Sequence, residues 1–276
     1  MIGGELYDRV VEVRAGVPGS AGLSWSELSI EFAVEHSSGR TPNKCEVTIY
    51  NLSDFSVGFL EQTPGLTLQL LAGYKTIGPS LLFSGWVRPR DVRTAWTGAD
   101  RLTTISSEDS GPNLAWQDAD FSEGYQGRVS RSKILLDIAA SMGLGVRYID
   151  PKVTDPVWLG PAFVGSARRA LDQVLDGSGA RWTIQNGQLV VLKGENTLPD
   201  EAVLLSAETG LVGDPERTDK GLNIVSLLQP SIVPGSIVSI ASKAASGFYK
   251  AVKVSHAGAI RGNEFYTTIE AKPIGD

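Results

Sequence analysis

Apolar residues alternate with polar ones through much of the first hundred residues, and this period of two constrains the fold more than any other feature. In 27–35, Leu, Ile, Phe and Val occupy every second position, with Glu, Ser and Ala between them. Successive side chains of a strand point to opposite faces of a sheet, so this segment is predicted to be a strand with one buried face. Four more segments predict strands, at 45–50, 66–70, 81–87 and 101–107.

In the middle of the chain the spacing of the apolar residues changes to that of an α-helix. Ser130 is a suitable N-cap, and the apolar residues after it share one helical face up to Gly143, where a glycine cap is expected. A second helix is predicted from a Ser166 cap to Gly177. Gly177-Ser178-Gly179 then lies between a helix and a strand, which favours a helix stop over a phosphate-binding loop, since such a loop precedes its helix.

A β-hairpin is predicted directly after the second helix. Asn186-Gly187 separates two strand-like segments, 181–185 and 188–192. Asn and Gly tolerate the positive φ angles that a two-residue hairpin turn requires, so the pair is a strong hairpin signal. In the resulting register, the facing pairs on one side of the hairpin are Ile184 with Leu189 and Trp182 with Val191.

Alternation returns in the last seventy residues. It predicts strands at 202–206, 222–228, 236–241, 248–255 and 264–271. The whole pattern predicts a mainly β (α+β) protein in which a small α+β insert of two helices and a hairpin lies between two β regions. The expected domains are 1–110, 111–198 and 199–276.

Composition restricts the partners and the compartment. The net charge of −6 favours neither nucleic acid nor an anionic membrane as a partner. Residues 1–13 have no basic start and no unbroken apolar stretch, so no signal peptide is expected and the chain should remain in a cytoplasm. Cys45 is the only cysteine, which leaves no internal disulfide and no Cys-based zinc site.

The sequence carries no recognisable catalytic or metal-binding motif. His36 and His256 are the only histidines, lie at opposite ends of the chain and are expected to be surface or strand residues. Three acids, Asp118, Asp120 and Glu123, lie near Trp116, Phe121 and Tyr125. Acids beside aromatic rings can bind sugar, and a glycosidase needs only two carboxylates. No spacing selects two of the three, so no catalytic, cofactor-binding or metal-binding residue is assigned.

A basic stretch at 86–96 combines arginines with tryptophans. Arg88, Arg90 and Arg93 lie between Trp86 and Trp96, a combination found in grooves for single-stranded nucleic acid. Because the chain is acidic overall, we favour arginines that are solvated or paired with nearby acids. The acids concerned are Asp91 and Asp100.

Several short segments follow one another in a recognisable order. They are CEVTIYNLS at 45–53, LQLLAGY at 68–74, LFSG at 82–85, ALD at 170–172 before Arg181-Trp182 and Asn186-Gly187, TGLVG at 209–213, LLQP at 227–230 and Pro234-Gly235. Each is mainly strand and turn sequence, but their order along nearly the whole chain resembles the baseplate hub proteins of contractile-tailed bacteriophages.

The resemblance implies a fold and a function. In that family two small β-barrel domains flank an α+β insert, and three copies form a ring of roughly sixfold symmetry. The ring connects the hexameric tail tube to the trimeric central spike, so the implied partners are further copies of the chain, the spike, the tube and other baseplate proteins. The implied location is the virion tail baseplate, assembled in the host cytoplasm, with no enzymatic activity, cofactor or membrane, and with DNA only passing through the channel.

Three alternatives remain open at this point. A tail-tip adapter of a non-contractile phage, or a phage-derived injection device, would share the fold. A peptidoglycan hydrolase would use the acids between 118 and 123. A carbohydrate-binding module is suggested by six tryptophans on a β scaffold, although packing is a simpler explanation for most of them.

Overall fold

Strands from both ends of the chain pair into one continuous sheet, and the α+β insert packs beside it. The computed structural model describes residues 8–109, 118–153 and 157–274. The mainly β class with an α+β insert is confirmed. We refer below to the N-terminal β region (8–109), the insert (118–198, without 154–156) and the C-terminal β region (199–274).

The N-terminal β region alternates buried and exposed residues along most of its strands, as its sequence predicts. β3 and β4 show the pattern most regularly, because one face of each packs on the core and the other faces solvent. The strands are β1 (Arg9–Gly16), β2 (Leu23–Trp25), β3 (Ile30–Ser37), β4 (Lys44–Tyr50), β5 (Leu66–Tyr74), β6 (Gly78–Val87), β7 (Val92–Thr97) and β8 (Asp100–Glu108).

One helix of this region, α1 (Asp54–Gln62), and the strands β1, β2 and β7 are not among the predicted elements. The Ser53 side chain accepts a hydrogen bond from the backbone N–H of Ser56, which caps the first turn of α1. Leu60 is fully buried in the N-terminal core, so α1 covers one side of that core.

In the insert, both predicted helices and the predicted hairpin are present. The helices are capped by Ser130 and Ser166, whose side chains accept from the backbone N–H three residues later. The elements are α2 (Arg131–Ser141), α3 (Ala167–Leu175), β9 (Glu123–Gly124), β10 (Arg128–Ser130), β11 (Gly145–Ile149), β12 (Val157–Leu159), β13 (Ala162–Phe163), β14 (Ala180–Gln185) and β15 (Gln188–Lys193).

The hairpin β14–β15 has the predicted register. Ile184 lies opposite Leu189 and Trp182 opposite Val191. Asn186 and Gly187 have φ angles of 52° and 72°, the positive values that the two-residue turn requires. β11 joins the hairpin in parallel with β15, and the buried side chains of the three strands and the two helices form a common core.

The C-terminal β region contains all five predicted strands, with small differences at their ends. A further short strand, β17, was not predicted. The strands are β16 (Val203–Ser206), β17 (Glu216–Thr218), β18 (Gly221–Leu227), β19 (Ile237–Ala241), β20 (Ser246–Ala259) and β21 (Phe265–Pro273).

The sheet runs in the order β17-β18-β21-β20-β3-β4-β8-β6-β5-β1-β2, with β7 beside β8 and the β16–β19 pair beside β20. Hydrogen bonds between the described strands leave this path open at β17 and at β2, so strand pairing does not close a ring in either β region. Each β region nevertheless packs around a hydrophobic core of its own. Leu228 and Phe265 of the C-terminal region belong to the N-terminal core, which ties the two together.

Candidate functional site

The two β regions are joined by antiparallel pairing of β3 with β20, which we call the seam. Its register runs from Glu31 opposite Ala259 to Ser37 opposite Lys253. Both strands also pair on their other sides, β3 with β4 and β20 with β21. The seam therefore lies inside the sheet, and two segments separated by more than two hundred residues form one rigid layer.

The two histidines lie at this seam. His36 and His256 are buried, and their ring centroids are 6.0 Å apart. His36 Nε2 donates to the Leu82 carbonyl oxygen at 2.9 Å, and His256 Nδ1 hydrogen-bonds the Thr267 hydroxyl at 2.9 Å. The strand placement predicted for them is confirmed, but a surface position is wrong, because the pairing of β3 with β20 encloses both rings.

Burial sets the protonation of both rings. It lowers the pKa of His36 to about 4, although the hydrogen bond to Leu82 acts in the opposite direction. Burial lowers the pKa of His256 to about 3, helped by the nearby His36 and opposed by the Ile232 carbonyl. Both histidines are therefore neutral at neutral pH and act as packed, hydrogen-bonded seam residues.

The centre of the seam has a local twofold pattern. Glu35 lies opposite Ser255, and on either side a valine faces a histidine across the two strands. The tripeptides are Val34-Glu35-His36 and Val254-Ser255-His256. Antiparallel strands are related by such an axis, so each β region contributes the same Val-x-His sequence to the same position.

The hairpin of the insert docks on the N-terminal β region through a buried carboxylate. Asp109 accepts hydrogen bonds from the Asn43 backbone N–H at 2.8 Å, from Asn43 Nδ2 at 2.7 Å and from the Asn186 backbone N–H at 3.2 Å. Asn43 Nδ2 also donates to the Ile184 carbonyl at 2.8 Å, and Asn186 Oδ1 accepts from the Ser84 N–H at 3.0 Å. Burial raises the pKa of Asp109 to about 7, against the lowering effect of these donors.

The same hairpin also contacts the C-terminal β region. Gln185 Nε2 donates to the Pro234 carbonyl at 3.0 Å, and the Leu198 N–H donates to the Gly235 carbonyl at 2.9 Å. Val190, Leu198 and Val233 form a small core at this contact. The insert is therefore attached to both β regions and fixes their relation from one side of the seam.

The three acids of the glycosidase hypothesis lie at the surface of the insert. Asp118, Asp120 and Glu123 are exposed, whereas Phe121 and Tyr125 pack in the insert core. Phe121 is buried against Phe163 with ring centroids 5.8 Å apart. Trp116, which belongs to the same hypothesis, lies outside the described residues.

The basic stretch forms local ion pairs. Arg88 Nε contacts Asp91 at 2.6 Å within a 3₁₀ turn, which agrees with the predicted pairing. Asp100 accepts instead from Asn51 Nδ2 at 2.8 Å, and the Arg101 guanidinium lies 5.8 Å from the Trp96 ring centroid. Arg90 and Arg93 are solvated, so this surface presents no arranged groove of arginines and aromatic rings.

The described ranges hold neither a cluster of metal ligands nor a helix that could span a membrane. Nowhere in 8–109, 118–153 or 157–274 do three or more His, Cys, Asp or Glu side chains gather as ligands for a metal ion. The helices in these ranges are all too short or too polar to cross a bilayer.

Comparison with known families decides the identity of this arrangement. The family model described as "Baseplate hub gp41" matches residues 10–271, which is nearly the whole chain. The chain belongs to the baseplate hub gp41 family. No curated protein sequence matches it.

Solved structures of tail proteins share the hub fold. The 43 kDa tail protein of prophage MuSo2 from Shewanella oneidensis is 8% identical with a TM-score of 0.65, covering 96% of this chain and 98% of that one. A tail protein from Neisseria meningitidis MC58 is 11% identical with a TM-score of 0.65, covering 98% of both chains. The E. coli c3393 protein, a type VI secretion component described as similar to T4 tail proteins gp27 and gp5, is 11% identical with a TM-score of 0.55, covering 95% of this chain and 77% of that one.

The features that organise the hub were not recognised in the sequence. Asp109 follows β8 and carries no motif, so its burial depends on contacts with Asn43 and the hairpin that only the fold creates. The seam did leave a signal, since the Val-x-His tripeptide occurs on two alternating segments, 34–36 and 254–256. Comparing the two β regions with each other would have found it.

Proposed function

We propose that this hub is a structural ring component of a phage tail baseplate, in which three copies connect the tail tube to the central spike. The seam is the observation that carries the proposal. It sets two β regions edge to edge within one copy, so three copies present six such regions around an axis. A ring of this kind matches sixfold symmetry on one side and threefold symmetry on the other.

The seam occupies the edges through which the two β regions of one copy meet. Equivalent Val-x-His positions on β3 and β20 mean that the two β regions use the same edge to meet each other. β3 and β20 each also pair on their other side, so contacts between copies use other surfaces of the β regions. Pairing within the seam also hides strand edges that would otherwise recruit other chains.

Exposed apolar side chains supply candidate contact surface between copies. Leu159 and Val164 of the insert are 79% and 84% exposed, and Val157 beside them is also exposed. Scattered exposed apolar residues are normal, but we propose that these three, within eight positions of the sequence, form an insert patch covered by a neighbouring copy.

The proposed role requires no catalysis. The family is one of structural hubs, and Asp118, Asp120 and Glu123 are exposed. The proposed location is the baseplate of the virion tail, after assembly in the host cytoplasm. The net charge of −6 suits a channel through which DNA passes without adhering, since like charges repel.

The test is the solution mass of the purified chain, alone and mixed with a candidate spike protein. We expect a trimer in at least one of the two conditions, and a ring of roughly sixfold symmetry in electron micrographs of that species. A strict monomer in both conditions would contradict the proposal.

Substitution of the exposed insert patch separates assembly from folding. Leu159→Ser with Val164→Ser should leave the free energy of unfolding within about 0.5 kcal/mol, because both side chains are exposed. The same pair should shift the trimer toward monomer if the patch lies between copies. Ala162→Ser, in the same segment, is the matched control and should leave the mass unchanged.

A second candidate is the corresponding adapter of a phage-derived injection device. The similarity to the E. coli type VI secretion component supports a shared fold and leaves this candidate open. A sheath gene and capsid genes beside the hub gene would favour a contractile phage, and a gene cluster without capsid genes would favour the device. Clearing of peptidoglycan in a zymogram would contradict both and favour a hydrolase.

A further inference from the structure

A cavity lies where the hairpin of the insert meets the C-terminal β region. Its volume is about 160 Å³, and it is lined by residues of β14, β15, β20 and β21 together with the segments around Gly194 and Pro234. We call it the junction cavity. Its charged and amide-bearing lining residues are Arg181, Gln185, Glu195, Lys250 and Lys272.

Positive charge is concentrated in the junction cavity. Lys250 and Lys272 lie directly opposite each other on β20 and β21, an arrangement that destabilises a sheet unless an anion lies between the two charges. With Arg181, the cavity lining carries three positive charges against the single negative charge of Glu195. Within the described ranges, no carboxylate oxygen lies within 4.0 Å of these three cations.

The electrostatic strain is concentrated at Lys250. Its pKa is lowered by burial and by the positive charges of Lys272 and Arg181, and Glu195 offsets this only in part. Its Nζ donates to the Gly194 carbonyl at 3.2 Å, which satisfies one of its three N–H donors.

An unsatisfied acceptor lies in the same lining. Gln185 is 2% exposed, and its Nε2 donates to the Pro234 carbonyl. Its Oε1 is buried and has no hydrogen-bond partner in the described part of the chain. A buried acceptor without a donor costs about 1 to 3 kcal/mol, so it is retained more readily where a ligand supplies the donor.

We propose that the junction cavity binds an acidic side chain together with the adjoining peptide N–H from a segment of a partner protein. The carboxylate would lie among Lys250, Lys272 and Arg181, and the N–H would donate to Gln185 Oε1. A free anion without an O–H group, such as sulfate, satisfies the cations but supplies no donor to Gln185. The volume is below the roughly 300 Å³ at which pockets for whole small molecules begin, so it suits one inserted side chain.

This site goes beyond the proposed ring and is independent of it. The lining residues all belong to one copy of the chain, so occupation of the cavity can be measured on a monomer or a trimer. A hub that forms its ring but leaves the cavity empty, or binds the peptide without forming a ring, would separate the two proposals.

The experiment is a titration of the isotope-labelled full chain with a blocked tripeptide, acetyl-Ala-Glu-Ala-amide, followed by nuclear magnetic resonance. We expect saturable shifts at Gln185, including its side-chain amide, and at the backbone of Lys250. The double variant Arg181→Met with Lys272→Met should weaken binding about fivefold, since each exposed charge pair contributes modestly. Both side chains are exposed, so the variant should fold normally.

Three controls define the outcomes. Lys243→Met, an exposed lysine outside the cavity, should bind the peptide like the original chain. The tripeptide with Gln in place of Glu should give no saturable shifts. Absence of binding by the Glu peptide, unchanged binding by the double variant, or equal binding of inorganic sulfate would each overturn the proposal.

Discussion

Asp109 shows how one residue can hold two parts of this hub together. The carboxyl group is completely buried, yet three N–H groups from Asn43 and the hairpin surround it. A buried carboxylate without hydrogen-bond partners is strongly unfavourable. A buried carboxylate with several donors stabilises a single arrangement of the groups around it. The hairpin is therefore fixed by a specific polar contact as well as by apolar packing.

Asp109→Ala should lower the free energy of unfolding by about 3 kcal/mol, because it leaves buried donors of Asn43 and Asn186 without an acceptor. Urea denaturation is the measurement. Asp118→Ala, at an exposed carboxylate, is the control and should change the value by less than about 0.5 kcal/mol. A loss below about 1 kcal/mol for Asp109→Ala would mean that water replaces the lost acceptor.

The seam histidines predict a pH dependence. The pKa of folded His36 is about 4, below its ordinary value of 6.5, so the unfolded chain takes up the proton first as the pH falls. The contribution of His36 to stability is complete above about pH 6.5 and is lost toward pH 4, by up to about 1.4 kcal/mol per pH unit.

His36→Gln should flatten the decline of the unfolding free energy between pH 6 and 4.5 by up to about 1.4 kcal/mol per pH unit. Paired urea titrations of the variant and the original chain provide the measurement. The raised pKa of Asp109 changes stability with pH in the opposite direction to His36. Asp109 is present in the variant and in the original chain, so its effect cancels when the two pH curves are subtracted. Parallel pH curves would show that His36 does not cause the dependence.

At the scale of elements, the seam depends on close packing around a glycine. A Cβ built at Gly258 on β20 would lie 2.6 Å from Phe32 Cζ and 2.7 Å from Phe265 Cδ2. These two rings pack edge to face with centroids 6.0 Å apart, one from each β region. The absence of a side chain at 258 is therefore what lets the two β regions share this aromatic contact.

Gly258→Ala should destabilise the hub by about 1 to 3 kcal/mol, the usual cost of overpacking a close-packed core. Thermal and urea unfolding provide the measurement. Gly124→Ala in the insert is the matched control, because no atom lies within 4 Å of its added Cβ, and it should change the unfolding free energy by less than about 0.5 kcal/mol. Equal effects of the two substitutions would contradict the packing argument.

Elements with local signals could be predicted from the sequence. The hairpin at Asn186-Gly187 and the helices after Ser130 and Ser166 follow from turn and capping residues, which act on neighbours a few positions away. α1 also has a serine cap, but its mixed sequence between two strands lacks a clear apolar stripe, and it was missed. The pairing of β3 with β20 has no local signal, because alternation specifies a buried face and leaves the neighbouring strand undetermined.

At the scale of the whole molecule, the hairpin contacts connect three cores. Its strands touch the N-terminal region through Asp109 and the C-terminal region through Gln185. Opening one region therefore exposes polar groups that the others satisfy, so the hub should unfold as a single cooperative unit despite its three parts.

Native-state hydrogen exchange measures this cooperativity. Slowly exchanging amides of β3, β14 and β20 should report the same free energy of opening in the original chain. In Asn43→Ala the β14 amides should exchange at a free energy about 1 to 2 kcal/mol below that of the seam amides, because the insert loses its buried polar contact. Different values in the original chain would indicate independent domains.

The seam also has a consequence for synthesis. Ser37 pairs with Lys253, 216 residues later in the chain. At about 5 to 20 residues per second, a ribosome needs about 10 to 40 s to make the intervening stretch. During this interval β3 lacks its partner on one side, and the nascent hub carries an open strand edge. If two unfinished chains meet before β20 is made, β3 of one chain should pair with β20 of the other. Once β20 and β21 are complete, β3 pairs within its own chain and this exchange is prevented.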